Sequence, residues 1–328
     1  MQPDVSFVIA AYNAEATLDR AIAGAIGQLG VTVEVIVVDD QSRDGTLDVA
    51  RAYPQDIVKV VTLPANRGPG GARNAGLDLA RGRWVAVLDS DDAVLPDRLA
   101  TMISRAEAAD AQIAVDNVQV VREDGTPDDV MFPAGYLEGL REISLADYIA
   151  GNLVFESRFN LGYLKPIFQR RFLDDNSLRY DEKLRIGEDY ILLASALASG
   201  GRCVVEPTVG YVYHIRTGSI SRVLELHHVE AMTRADAAFA AAYPMDSSAK
   251  AAFVKRGRSL RKASSFLSLV RHIKARSPLK AIGTVLRDPA AIGHMGMPIA
   301  VRLRRVAAQV RRRGGETKHA GIFIASDK

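Results

Sequence analysis

Residues 84–97 read WVAVLDSDDAVLPD. The apolar, β-branched run that begins at Trp84 stops in three carboxylates, Asp89, Asp91 and Asp92. Such runs are the mark of buried parallel strands, and in open α/β sheets ligands sit beyond the strands' carboxyl ends. Three acids this close repel one another unless they share a cation. Hard oxygen ligands at that density suit Mg2+ or Mn2+, which keep open positions for substrate phosphates. Taken alone, a DxDD stretch is more often a polar loop whose acids cap the next helix, so the rest of the chain decides its meaning.

Working outward, Val5 to Ala10 (VSFVIA) fits a central strand, and Asn13 is placed to N-cap a helix over 15–28. Leu18, Ile22, Ala25, Ile26 and Leu29 fall there at helical spacing. Val33 to Val38 predicts a second strand ending in Asp39-Asp40, and Ser42, Asp44, Gly45 and Thr46 turn into a helix over 46–52. A third strand over 58–63, the loop Asn66 to Gly71 and a helix over 72–80 lead to the strand that ends at Asp89. The alternation predicts an α/β fold with a mostly parallel central sheet and right-handed crossovers. A nicotinamide-binding domain needs a glycine-rich turn after its first strand, where this chain has Ala11-Tyr12-Asn13-Ala14. A Walker A loop and an HExxH helix are absent too. In a parallel sheet the two acidic strand ends emerge on one edge. One group can then read a base or ribose while the other holds a metal on phosphates. Arg67 and Arg73, in NRGPGGARNAG, add positive charge beside a glycine-rich helix start.

The 328 residues are 48% apolar and 25% charged, ordinary for a soluble globular protein with a real core. Cys203, the single cysteine, excludes an intramolecular disulfide and a cysteine zinc site and fits a reducing compartment. The N-terminus lacks a basic n-region, and no window reaches about 18 uninterrupted apolar residues, so neither a signal peptide nor a spanning helix is expected. The net charge of +3 hides a division: residues 1–225 hold 22 Lys+Arg against 33 Asp+Glu, and residues 226–328 hold 20 against 6. A tail of +14 following a body of −11 is built to meet something anionic: a membrane surface, the chain's own acidic part, or nucleic acid.

The segments VSFVIAAYN, VIVVDDQSRDGT, NRGPGGARNAG and VAVLDSDDAVLPDRL, in this order and spacing, resemble the family 2 glycosyltransferases of the GT-A fold over residues 3–225. The resemblance implies transfer of a sugar from a nucleotide donor to an acceptor hydroxyl with inversion, using Mn2+ or Mg2+ and one carboxylate base. It places Ala10, Tyr12 and Asp40 around the uracil, and Asn13, Asp39, Arg67, Gly70 and Arg73 elsewhere along the nucleotide-sugar. Asp91 is then on the ribose and the metal, Asp92 on the metal, and Asp89 and Ser90 beside them. Within the family, the basic tail and the ARN and DSDD motifs are most similar to bacterial exopolysaccharide enzymes, the succinoglycan-type glucosyltransferases. That similarity implies UDP-glucose as donor, a polyprenyl-diphosphate-linked oligosaccharide as acceptor, and work at the cytoplasmic face of the plasma membrane.

Further along, a helix over 99–110, a strand over 112–121 and a turn at Asp124-Gly125 lead to a short helix near 144–150. Asn160, Tyr163 and Lys165 follow as acceptor contacts, each equally suited to a structural role. Glu188-Asp189 opens an apolar helix; first-turn acids commonly serve only the helix dipole, but the resemblance makes Asp189 the base, with Glu188 as the alternative. In GYVYHIRTGSISR (210–222), the resemblance implies His214 as a third metal ligand or pyrophosphate contact, and Arg216, Ser219 and Ser221 as residues that close over the phosphates. Residues 227–243, 247–275 and 298–313 read as helices, the second and third basic and amphipathic, fit either for an anionic lipid interface or for packing on the acidic part. The expected organisation is a catalytic domain over 1–225 (nucleotide-sugar half 1–98, acceptor half 99–225), a basic helical extension over 226–313 and a disordered tail over 314–328. Two other classes fit less well. A nucleotidyltransferase wants a glycine-rich basic loop after its first strand. A non-catalytic binder of nucleic acid or another anionic polymer has no use for five carboxylates on one sheet edge, and 6% aromatic content is sparse for base stacking.

Overall fold

In β1 (Val5–Ala11) the side chains alternate between two cores: Phe7 and Ile9 pack with Leu18 and Ile22 of α1 (Leu18–Ile26), while Val8 faces the other way with Leu77. The chain continues through β2 (Val33–Asp39), α2 (Thr46–Arg51), β3 (Val58–Thr62), α3 (Gly68–Leu79), β4 (Trp84–Val87) and the short β5 (Ala93–Val94). Then come α4 (Arg98–Ala108), β6 (Ile113–Arg122), β7 (Asp129–Val130), α5 (Ala134–Gly139), α6 (Leu145–Ala150), β8 (Ile167–Gln169), α7 (Arg170–Asp175), α8 (Glu188–Ala198) and β9 (Cys203–Ile215). The computed structural model describes residues 2–122, 128–215 and 224–294. The Asp124-Gly125 turn, Arg216, Ser219, Ser221, the 298–313 helix and the 314–328 tail lie outside the described residues.

One sheet runs β3-β2-β1-β4-β8-β6-β9-β5, with β7 on β6. The first four strands pair in parallel, as the sequence predicts. β8 enters antiparallel to both β4 and β6, while β9 is parallel to β6 and antiparallel to β5. Apolar cores cover both faces, giving the three-layer α/β arrangement of the GT-A fold.

Two local expectations change. Asn13 does not cap α1: it sits at φ 51° and its side-chain oxygen accepts the Arg43 N–H (2.9 Å), so it ties the β1 end to the turn after β2. The glycine-rich segment before residue 72 is not an open loop but the first turn of α3, with Pro69 inside it. Asp40 anchors that turn by accepting the N–H groups of Arg67 (2.6 Å) and Gly68 (2.8 Å), and Gly68 takes the left-handed φ of +78° that the entry requires.

The parts of the sheet are locked by one buried ion pair. Arg98 donates to both oxygens of Asp116 (2.7 and 2.9 Å) and to the Lys165 carbonyl (2.6 Å). β9 passes so close that a Cβ on Gly210 would stand 2.3 Å from the Asp116 carboxylate. Burial pushes the Asp116 carboxyl up, and Arg98 works against it.

The chain divides into two compact units, residues 1–260 and 261–328. Composition changes sign at 225, whereas packing divides at 260. The first unit includes α9 (Leu226–Ala242), which buries Val229 and Phe239, and the first part of α10 (Ser247–Lys274). There Arg256 pairs with Asp236 (2.8 Å), donates to the Asn152 carbonyl (2.5 Å) and covers the Tyr190 ring. The second unit holds the rest of α10, with Ala263, Phe266 and Leu269 buried, and α11 (Pro278–Arg287). No helix among the described residues is long and apolar enough to cross a membrane.

Removing one partner of a buried pair leaves a charge without compensation. Arg98→Ala should lower unfolding free energy by about 3–5 kcal/mol in urea denaturation, and Arg98→Met with Asp116→Leu should recover most of it. A loss under about 1 kcal/mol in the single variant, the value of an exposed pair, would contradict the pair's structural weight.

Candidate active site

The carboxyl ends of β1, β2 and β4 form one edge, and the expected nucleotide-binding residues collect along it. Asp39 ends β2; one oxygen accepts the Ser42 N–H (3.1 Å), and the other is buried without a hydrogen-bond partner among the described residues. Asp40, raised by burial, is spent on the α3 N-terminus. Ala10 is half-buried, and Tyr12 and Asn13 are exposed beside it. Arg67 points to Glu182, which also takes a bond from Asn74 (3.1 Å). Gly70 is buried, its Cα side against the Asp181 carbonyl.

The centre is an ionic cluster drawn from four parts of the chain. Arg73, on the buried side of α3, donates to Asp89 (2.7 Å), Glu188 (2.7 Å) and Asp189 (3.2 Å), with its guanidinium over the Tyr180 ring. Lys165 is the second cation, with Nζ 2.6 Å from Asp89 and 3.8 Å from Asp189. Burial alone would raise the Asp89 carboxyl, but Lys165 and Arg73 overcome it and hold it well below the usual carboxylate range. Glu188 is pushed up by burial and by Asp189, with Arg73 opposing. Of the pair that opens α8, the Asp189 side chain is 30% exposed and Glu188 9%. Asp189 is therefore the one a ligand can reach.

Asp92 lies beside this cluster, fully buried. It accepts the Tyr211 hydroxyl (2.7 Å) and the backbone N–H of His214 (2.8 Å), while the Tyr211 oxygen accepts the Asp89 N–H (3.2 Å). Burial, with Asp89 and Asp91 adding their charge, pushes the Asp92 carboxyl up to about 8. Asp91 and Ser90 are half-buried next to it, and Arg20 bonds the Asp91 carbonyl. The structure brings β9 onto Asp92 through the His214 backbone, but among the described residues no three His, Cys, Asp or Glu side chains group as an ion site.

Sequence reasoning missed Tyr211, and of the two roles left open for Lys165 the structure shows a place in the carboxylate cluster. Asn160 is occupied in its own turn, accepting the Gly162 N–H (2.8 Å). Tyr163 is exposed and, with Tyr213, Ile215 and Met131, lines a cavity of about 360 Å³ beside the end of β9.

A GT-A sheet with acids along one strand edge and a carboxylate pair opening a facing helix is the architecture of a glycosyltransferase. The family model "Glycosyl transferase family 2" matches residues 6–172, and the chain belongs to that family and is a glycosyltransferase. It is 57% identical to the succinoglycan biosynthesis protein ExoO of Rhizobium meliloti, over 94% of this chain and 88% of the relative. It is 26% identical to the Escherichia coli UDP-Glc:alpha-D-GlcNAc-diphosphoundecaprenol beta-1,3-glucosyltransferase WfaP, over 66% of this chain and 79% of that one. Among solved structures, S. aureus TarS in complex with UDP-GlcNAc superposes with a TM-score of 0.64 at 20% identity, covering 87% of this chain and 92% of that one. The mannosyltransferase PcManGT of Pyrobaculum calidifontis, in complex with GDP-Man and Mn2+, gives 0.57 at 18% identity, covering 94% and 81%. At such identities the two structures establish the architecture alone.

The state of Asp92 gives a pH prediction. An unfolded aspartate titrates near 3.9, so between about pH 4 and 8 the folded protein holds a proton that the unfolded chain lacks. This contribution makes stability fall as pH rises through that window, while the Asp89 contribution lies below it. Metal-free wild type should lose melting temperature between pH 5 and 8 relative to Asp92→Asn. Parallel curves would contradict the buried, cation-poor setting of Asp92.

Proposed function

We propose that the chain transfers glucose, with inversion, from UDP-glucose to a hydroxyl of a polyprenyl-diphosphate-linked saccharide in the assembly of a succinoglycan-type exopolysaccharide. The work is then done at the cytoplasmic face of the plasma membrane. The observation that carries the reading is the accessible Asp189 carboxylate standing in one charged cluster with Asp89, at the nucleotide edge of a GT-A sheet. The printed activities of the relatives support the donor and the acceptor class: a UDP-Glc enzyme acting on a diphosphoundecaprenol acceptor, and a succinoglycan biosynthesis protein.

In this reading the reaction is a single displacement. Asp189 takes the proton of the acceptor hydroxyl as that oxygen attacks the anomeric carbon, and the bond to the UDP oxygen breaks. Arg73 and Lys165 keep Asp189 and Asp89 oriented, and the buried Glu188 fixes Arg73. Asp39, Asp40, Ala10, Tyr12, Asn13 and Arg67 border the space for base and ribose, with Gly70 and Ser90 letting the backbone come close. The cavity at Tyr163 and Tyr213 offers aromatic faces to an acceptor sugar.

A divalent ion fits the donor set: Asp91 and Asp92 are adjacent hard oxygen donors, with Asp92 raised by burial and by the charges of Asp89 and Asp91, and such ions are commonly held by one or two carboxylates plus substrate phosphates. Asp92 and Asp91 would hold Mn2+ or Mg2+ with His214 alongside, and the ion would supply charge neutralisation for the departing diphosphate. Arg216, Ser219 and Ser221 are proposed to meet the same phosphates.

A donor panel tests the reading: purified protein, Mn2+ and each common UDP-, GDP- and dTDP-sugar, scored for nucleotide release with the lipid-linked saccharide present. Release from UDP-glucose alone is expected, and turnover of a GDP- or dTDP-sugar in its place would overturn the donor assignment. Asp92→Asn should abolish the extra thermal protection that UDP gains from Mn2+; unchanged protection would remove Asp92 from the metal.

A further inference from the structure

Helix α11 turns its apolar side outward. Leu279, Ile282 and Leu286 are 84%, 56% and 77% exposed. At 3.6 residues per turn they stand within about 60° of one another. The half-buried residues Ala281, Thr284 and Val285 are on the far side. Lys280 and Arg287 each follow one residue after an exposed leucine, about 100° round the axis, so both border the apolar face along its Leu279 edge. Helices of the first unit turn such faces inward: α1 buries Leu18 and Ile22, and α4 buries Leu99 and Met102.

Charge decides what covers the face. Residues 261–294 hold seven Lys and Arg and a single acid, Asp288. That acid is used locally, accepting the Ser265 hydroxyl (2.6 Å) and the Ala290 N–H (3.0 Å). Alkyl side chains bordered by ammonium and guanidinium groups match a bilayer interface, with the alkyl groups among acyl chains and the cations at phosphate depth. Nucleic acid offers little to three aliphatic side chains, since single strands are held by stacking on aromatic rings. The same face on a second copy carries the same positive charge and is repelled.

We propose that α11 is a bilayer-docking helix that lies in the interface of an anionic membrane through Leu279, Ile282 and Leu286, with Lys280 and Arg287 at the headgroups. The inference goes beyond the proposed reaction and stands whether or not the donor and base assignments hold.

Full-length protein is tested by flotation with phosphatidylcholine vesicles with and without phosphatidylglycerol. Wild type should float with the anionic vesicles alone. The triple variant Leu279→Ser, Ile282→Ser, Leu286→Ser should bind at least about tenfold more weakly, and Lys280→Gln with Arg287→Gln about tenfold more weakly or beyond. Circular dichroism and a melting temperature equal to wild type show that both variants are folded. Leu279→Trp, at the most exposed position, supplies an independent readout: its emission should shift to the blue on anionic vesicles. The proposal is overturned if wild type stays unbound at low salt, if the triple variant floats like wild type, or if the Leu279→Trp emission does not move. Sedimentation as a dimer that the triple variant dissolves would overturn it too, by making the face a contact between copies.

Discussion

Arg73 is the group on which the site depends. Its guanidinium reaches Asp89, 16 positions away, and Glu188 and Asp189, 115 and 116 positions away, so one side chain ties the strand end after β4 to the start of α8. Without it three carboxylates would crowd a poorly hydrated space, and like charges there drive one another to protonate. Lys165 adds a second cation from β8's approach. The balance remains negative: three acids face two cations, with Asp91 and Asp92 adjacent. Burial first, and then the charges of Asp89 and Asp91, raise the Asp92 carboxyl. In the proposed reaction a cation carried on the diphosphate would meet that balance.

The cluster is held from behind. Lys165 reaches the acids because its own carbonyl is fixed by Arg98, which is fixed in turn by Asp116 in the sheet core. Tyr211 performs the matching task on the other flank, taking a bond from the Asp89 backbone and giving one to Asp92. Side chains of β6, β9 and α4 therefore set the geometry of groups that touch no part of those elements in sequence. This is the outer support that a precise polar site requires.

The first half of the fold was legible because its physics is local. Four short apolar runs that end in acids or turns, alternating with helical spacing, admit little besides a parallel sheet with the acids on one edge. The second half was not. β8 runs antiparallel to β4 with Ala86 facing Ile167, which carries Lys165 back to the level of Leu88, next to Asp89. No periodicity announces the direction of a three-residue strand, so the sequence left Lys165 open between an acceptor contact and a structural role. Tyr211 read only as one aromatic of a strand, because its partners lie 119 and 122 positions away. Asn13 looked like a cap because asparagine commonly is one; the Arg43 N–H competed for its oxygen and won. The order of Asp189 and Glu188 was a matter of one residue in sequence and of exposure in the structure.

The most direct test of the account is transfer by Asp189→Asn and Glu188→Gln measured side by side, with UDP affinity followed by calorimetry. Asp189→Asn should bind UDP like wild type and lose transfer by about a hundredfold or more, the scale of a general base. Glu188→Gln should retain far more activity than that. Near wild-type transfer by Asp189→Asn, or a deeper loss in Glu188→Gln with UDP binding intact, would contradict the assignment of the reachable carboxylate as the base.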